Sequence, residues 1–148
     1  MLAAVLALAF AFHPAAARTG LVHFQSPSGN INCIGAPAYS GSPAFVACLV
    51  RKAAWPSRRA KPASCDLDWD PLTLELSSRK LSVGSCRGDI GPLCMYTNDK
   101  CSTLGYGRSV DVGRIRCTSA TGGVTCRYRT APPVGFRIAR ENYVLFRR

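Results

Sequence analysis

The sequence predicts a mostly-β domain, a small sandwich or barrel-like fold of antiparallel hairpins stapled by disulfides. Three observations lead there. Short runs of alternating apolar and polar residues recur at close intervals between turn-forming Gly, Pro, Ser and Asn. Eight cysteines follow an apolar leader, with no Cys-x-x-Cys pair and no His-x₃₋₅-His partner, so they read as disulfides rather than metal ligands. Residues 113–130 form two alternating runs around a turn-forming Ala-Thr-Gly-Gly at 120–123, which reads as a β-hairpin.

That hairpin organises the chain. If Cys117 sits opposite Cys126, then Ile115 faces Tyr128, Ser119 faces Val124, Arg116 faces Arg127 and Arg114 faces Arg129. One face carries Ile115, Cys117, Val124, Cys126 and Tyr128. The other carries Arg114, Arg116, Thr118, Thr125, Arg127 and Arg129. A two-residue loop would place the cysteine Cα atoms about 4.5 Å apart, near the short end of the disulfide range. Thr121 suits the positive φ of such a loop poorly. A four-residue loop keeps both faces and only shifts the hydrogen-bond alternation.

The leader comes first in the chain. Residues 1–12 are an apolar run too short to span a bilayer comfortably, and Ala15, Ala16 and Ala17 offer a small-residue cleavage site. We therefore expect a signal peptide over residues 1–17 and an exported chain, periplasmic or extracellular, folded as one disulfide-stapled domain over 18–148. No Lys or Arg precedes the apolar run, so either the signal is unusual or the start codon lies upstream. No later segment is apolar enough to cross a membrane. The net charge of +11 falls entirely on the part after residue 17. Arginine far outnumbers lysine, as bidentate recognition of phosphate or carboxylate favours. The abundant Ala, Gly and Pro point to a coding bias towards G and C, which carries the larger share of that preference.

Residues 21–25 read as a strand, 26–30 (Ser-Pro-Ser-Gly-Asn) as a turn preset by Pro27 and relaxed by Gly29, and 31–34 as a second strand. Residues 45–50 answer it across a Gly/Pro/Ser-rich loop. This hairpin is similar to the organising one, with Ile-Asn-Cys against Ile-Arg-Cys, but the loop lengths differ and a shared period explains the likeness without a repeat. Residues 51–61 hold Arg51, Lys52, Arg58, Arg59 and Lys61 around Trp55, an exposed basic loop or a short helical turn. Asp66, Asp68 and Asp70 share a face if extended. They fail as a calcium loop, because Pro71 replaces the glycine and Ser77 the bidentate Glu, and they read as an acidic patch offsetting the arginines. Strands at 72–76 and 81–83 flank a turn at 77–80. The Arg87-Gly88-Asp89 tripeptide is uninformative as an adhesion signal, and Gly88 serves a turn. Cys94 and Cys101 bracket a polar loop with a turn at 97–99, and strands at 135–139 and 143–146 close the core.

Several pieces together, namely residues 24–33 (Phe-Gln-Ser-Pro-Ser-Gly-Asn-Ile-Asn-Cys), 62–69 (Pro-Ala-Ser-Cys-Asp-Leu-Asp-Trp), 86–89 (Cys-Arg-Gly-Asp), 123–126 (Gly-Val-Thr-Cys) and 135–136 (Gly-Phe), resemble a family of small exported bacterial proteins, a domain of unknown function. The resemblance covers most of the chain after the leader. It implies bridges Cys33 to Cys48, Cys65 to Cys86 and Cys117 to Cys126. Cys94 and Cys101 look like an addition here, most simply bonded to each other. Tyr128 and Val134 stand where the family often has Asn and His, so no role of those residues carries over. The resemblance implies an architecture and no activity.

No nucleophile elbow, phosphate-binding glycine loop or zinc signature is present, and we expect no enzyme, no cofactor and no metal. His23, between Val22 and Phe24, reads as a structural histidine. The alternatives are a stapled inhibitor of secreted hydrolases, with residues 36–44 as its exposed loop, and a small basic nuclease using Glu75 or Glu141 with His23. The preferred reading is a monomeric, non-catalytic binding or structural protein of the cell envelope. Its Arg114, Arg116, Arg127 and Arg129 would meet anionic polymers, without specific nucleic-acid recognition. The motive is that Arg116/Arg127 and Arg114/Arg129 are like-charge cross-strand pairs, each unfavourable by some tenths to about 1 kcal/mol. Something must supply the counter-charge, either a ligand or Asp66, Asp68 and Asp70 within the fold.

Overall fold

The computed structural model describes residues 20–55, 59–89, 91–94 and 101–147. The leader expected over residues 1–17 and the turn expected at 97–99 lie outside these. Eleven strands are described: β1 (Val22–Gln25), β2 (Ile31–Ala36), β3 (Phe45–Val50), β4 (Asp68–Ser77), β5 (Lys80–Arg87), β6 (Cys101–Thr103), β7 (Ser109–Val112), β8 (Ile115–Ala120), β9 (Gly123–Tyr128), β10 (Gly135–Ile138) and β11 (Tyr143–Phe146). They make two sheets, ordered β5-β4-β3-β2-β1-β6 and β11-β10-β9-β8-β7. Every pairing is antiparallel except β1 with β6.

The inner faces follow from the alternation. Phe24, Cys33, Cys48, Leu74 and Val83 form one row across the first sheet, and Cys117, Cys126 and Phe136 one across the second. All belong to a single buried cluster. The chain contains disulfides Cys33–Cys48, Cys65–Cys86, Cys94–Cys101 and Cys117–Cys126. Two of them join directly opposed residues, with Cα atoms 4.1 Å apart in both cases. These two bridges meet at the centre of the sandwich, where Cys48 Sγ lies 4.0 Å from Cys126 Sγ. Neither sulfur carries a proton, so the contact is one of dispersion and packing.

β1 to β5 form a meander, as do β7 to β11, and in each the bridge joins the second and third strands. The likeness between the two hairpins, read from sequence as a shared period alone, therefore extends to strand order. The hairpin register is the expected one, closed by Ala120 opposite Gly123 around a two-residue turn. The positive φ that Thr121 would resist falls instead on Gly123, at +118°.

The remaining differences have local causes. β4 and β5 run longer than the expected 72–76 and 81–83, with a register shift between Asp70 and Leu74 where Pro71 has no N–H to give the ladder. β6 and β7 have no counterpart among the strands expected from sequence. After β5, residues 91–94 lie on the outer face of the first sheet. There the Cys94 N–H donates to Asn32 Oδ1 (2.9 Å) and Pro92 is fully buried. Thr73 and Ala47, which alternation turns away from the core, are buried as well. The outer face of the second sheet is open.

Candidate functional site

That open face holds the predicted arginines. One row across it reads Asp111, Arg116, Arg127, Gly135, Phe146, from β7 to β11. The neighbouring row reads Ser109, Thr118, Thr125, Arg137, Val144. Arg129 continues the face beyond β9, its N–H bonded to the carbonyl oxygen of Arg114 at 3.0 Å. Arg114 itself sits in the β7–β8 turn at the edge of this surface. Arg137 joins the cluster from β10 and was not among the residues singled out from sequence.

Arg116 and Arg127 are directly opposed, yet their guanidiniums part. Arg116 turns to β7 and donates to both carboxylate oxygens of Asp111, at 2.8 and 2.9 Å. Arg129 approaches the same carboxylate at 3.7 Å. Arg127 turns the other way, over β10, and its guanidinium carbon lies 3.7 Å from the centre of the Phe146 ring. Such a stack contributes about 0.5–1 kcal/mol at an exposed site. Gly135 makes the crossing possible: between Arg127 and Phe146 it presents no side chain, and a Cβ there would fall 2.7 Å from Arg127 Cγ. Arg137 donates to Asn142 Oδ1 at 3.0 Å. The hydrogen bond from Arg116 holds the Asp111 carboxyl below the usual carboxylate range and raises the Arg116 guanidinium above its ordinary value.

The internal counter-charge is thus Asp111, and this corrects the expectation that Asp66, Asp68 and Asp70 supply it. Those residues lie at the start of the first sheet's β4 or just before it. Asp70 is occupied locally, accepting from the Leu72 N–H (3.0 Å) and the Thr73 hydroxyl (2.6 Å). One carboxylate against Arg116, Arg127, Arg129 and Arg137 leaves the face strongly cationic.

The structure does not bring the nuclease residues together. His23 and Glu75 occupy one row of the first sheet but are three strands apart, about 14 Å at ordinary strand spacing. Burial lowers the His23 pKa, and its Nε2 meets no hydrogen-bond partner among the described residues. Glu141 lies in the β10–β11 turn of the other sheet. The loop offered as an inhibitor segment closes on itself through paired Tyr39 and Ser42 backbone hydrogen bonds (3.0 and 2.9 Å). Ser40 and Gly41 at its tip both have positive φ, so it is a tight turn and not the extended strand a protease reads. In the tripeptide, Arg87 donates to Ser85 Oγ at 3.1 Å, lies 3.8 Å from Asp89, and keeps only 16% of its side chain exposed. It is a structural arginine. No group of three or more His, Cys, Asp or Glu side chains suited to a metal occurs among the described residues.

Fold and site together define a disulfide-stapled β-sandwich with one partly covered and one open, cationic sheet face. The bridges mark a chain that matures under oxidising conditions. The chain belongs to a family of unknown function, DUF6636, whose profile matches residues 4–146. No curated protein and no solved structure matches it.

Proposed function

We propose that this is an exported, non-catalytic binding protein of the cell envelope that holds anionic polymers on the open face of its second sheet. The observation that carries the reading is the imbalance on that face, where Arg116, Arg127, Arg129 and Arg137 share the surface with one carboxylate, Asp111. The row from Asp111 to Phe146 crosses five strands, about 19 Å, so an extended polymer can touch several guanidiniums at once. The hydroxyls of Ser109, Thr118 and Thr125 line the adjacent row as further donors. Export to a periplasmic or extracellular site is consistent with four bridges closing all eight cysteines.

Net charge alone gives some affinity for any polyanion, so the test separates place from charge. Binding of lipopolysaccharide and of an acidic polysaccharide is measured for Arg116→Ser with Arg127→Ser. The comparison is Arg59→Ser with Lys61→Ser, which removes as much charge from the β3–β4 loop. The hairpin pair should weaken binding at least about tenfold more than the loop pair, as expected for losing charge-assisted contacts. Equal losses would reduce the face to generic electrostatics.

A further inference from the structure

The turns of both sheets converge at one end of the sandwich, around a cleft of about 560 Å³. Its size suits a mono- to trisaccharide or a similar small ligand. The walls are stiff. In the β1–β2 turn Ser26 Oγ accepts the Ile31 N–H (3.1 Å), and the Asn30 amide clasps both backbone groups of Lys52 (2.8 and 3.1 Å). On the opposite side the Ala54 N–H donates to the Arg140 carbonyl (2.7 Å) and the Trp55 indole to that of Ala139 (3.0 Å). These bonds tie the chain after β3 to the β10–β11 turn and hold the two sheets' contributions at a fixed separation.

What projects into this cleft is chemically distinctive. Arg51, Lys52 and Arg140 line it with Glu141, and none of the four forms an ion pair among the described residues. Several arginines elsewhere are committed: Arg116 and Arg129 to Asp111, Arg127 to Phe146, Arg79 to Thr130 and Pro132, Arg87 to Ser85. Tyr106 stands at the rim, 50% exposed between two glycines that leave its ring uncovered.

We infer that the end cleft binds an acidic sugar unit, its carboxylate held by Arg51, Lys52 and Arg140, its ring lying on Tyr106 and a hydroxyl donating to Glu141. The carboxylate of Glu141 decides the class. It accepts hydrogen bonds only, so it opposes a bare phosphate or sulfate but suits a ligand carrying both an anionic group and hydroxyl donors. An aromatic platform beside charged groups suits the apolar face of a pyranose. This site is separate from the open sheet face and does not depend on that face's function.

The test is calorimetric titration of the full chain with trigalacturonate, the neutral maltotriose, and a short oligothymidylate. Trigalacturonate should bind and maltotriose should bind at least about tenfold more weakly, the scale of one or two charge-assisted hydrogen bonds. Tyr106→Ala should weaken trigalacturonate binding about three- to tenfold, and Arg51→Gln with Arg140→Gln by about tenfold or more. Glu141→Gln is the sharpest variant, because simple electrostatics predicts tighter binding of an anion and hydroxyl recognition predicts weaker. Arg59→Ser with Lys61→Ser, outside both the cleft and the open face, should leave trigalacturonate binding unchanged, while failure of the polymer face is read separately from lipopolysaccharide binding by Arg116→Ser with Arg127→Ser. No trigalacturonate binding, equal maltotriose binding, an unaffected Tyr106→Ala or a tighter Glu141→Gln would each overturn the assignment. Tighter, Tyr106-dependent binding of oligothymidylate would replace the sugar with a nucleotide.

Discussion

Gly135→Ala should be among the most damaging single-methyl additions to this protein. Gly135 lies in β10 opposite Arg127 of β9 and Phe146 of β11. A Cβ there would overlap the carbonyl oxygen of Cys126 and lie 2.7 Å from Arg127 Cα. The opposing atoms are backbone, in the strand whose Cys126 is bridged to Cys117, so no rotamer change relieves the overlap. Overpacking of this kind costs about 1–3 kcal/mol. Parting β9 from β10 loses two or so ladder hydrogen bonds, each worth about 1 kcal/mol. Together the loss is about 3–5 kcal/mol. With a urea m-value of about 2 kcal/mol/M, ordinary for a small protein, the midpoint should fall by about 1.5–2.5 M. Gly122→Ala, one turn away, meets nothing within 4 Å and should change stability by no more than about 0.5 kcal/mol. If urea unfolding of Gly135→Ala matched that of Gly122→Ala, the close approach of β10 to β9 would be wrong, and so would the path of Arg127 to Phe146.

Asp111→Asn should tighten polyanion binding in an affinity titration, because it removes the single carboxylate of the arginine face; unchanged or weaker binding would show Asp111 to be part of the site. Its effect on stability should be below about 1 kcal/mol, since both partners are largely exposed. The folded-state carboxyl is the stronger acid, so this contribution is present above the unfolded carboxylate pKa of about 4 and lost as pH falls through the lower folded value. Urea midpoints of wild type and Asp111→Asn should therefore converge in acid. Replacing Cys33 and Cys48 by Ala, or Cys117 and Cys126, should each cost about 2–4 kcal/mol by chemical denaturation. Because Cys48 and Cys126 touch, the four-fold variant should deviate from the sum by more than about 0.5 kcal/mol, and strict additivity would contradict the contact.

How far the residues foretold this arrangement depended on the range of the interaction. The hairpin register was legible, because Ile115 to Ala120 and Gly123 to Tyr128 alternate strictly around a short turn. Asp111 was within reach: Ser-Val-Asp-Val before Gly113-Arg114 is a short alternating strand, and folding it back sets Asp111 opposite Arg116. Four residues beside a stronger hairpin signal are easily read as its lead-in. Arg137 was not legible, since nothing local says that β10 returns beside β9 after the Pro132-Pro133 loop. β6 pairs in parallel with β1 at the sheet edge opposite β5, a long-range placement that Cys-Ser-Thr does not encode. The end cleft depends on which turns of two sheets meet, and Tyr106, Arg51 and Glu141 are distant in sequence. The triple aspartate misled for a related reason, because charge balance along the chain does not say which sheet a residue joins.

The most direct test of the polymer-binding face is the salt dependence of binding to linear polyphosphate. Each guanidinium withdrawn from the bound phosphates should reduce the slope of log K against log salt by about 0.7, the value for a single-stranded phosphate backbone. Arg116→Ser with Arg127→Ser should therefore flatten the slope by about 1.4, while Arg59→Ser with Lys61→Ser leaves it near that of the wild type. A slope unchanged in the hairpin variant, or flattened equally in both, would contradict the account.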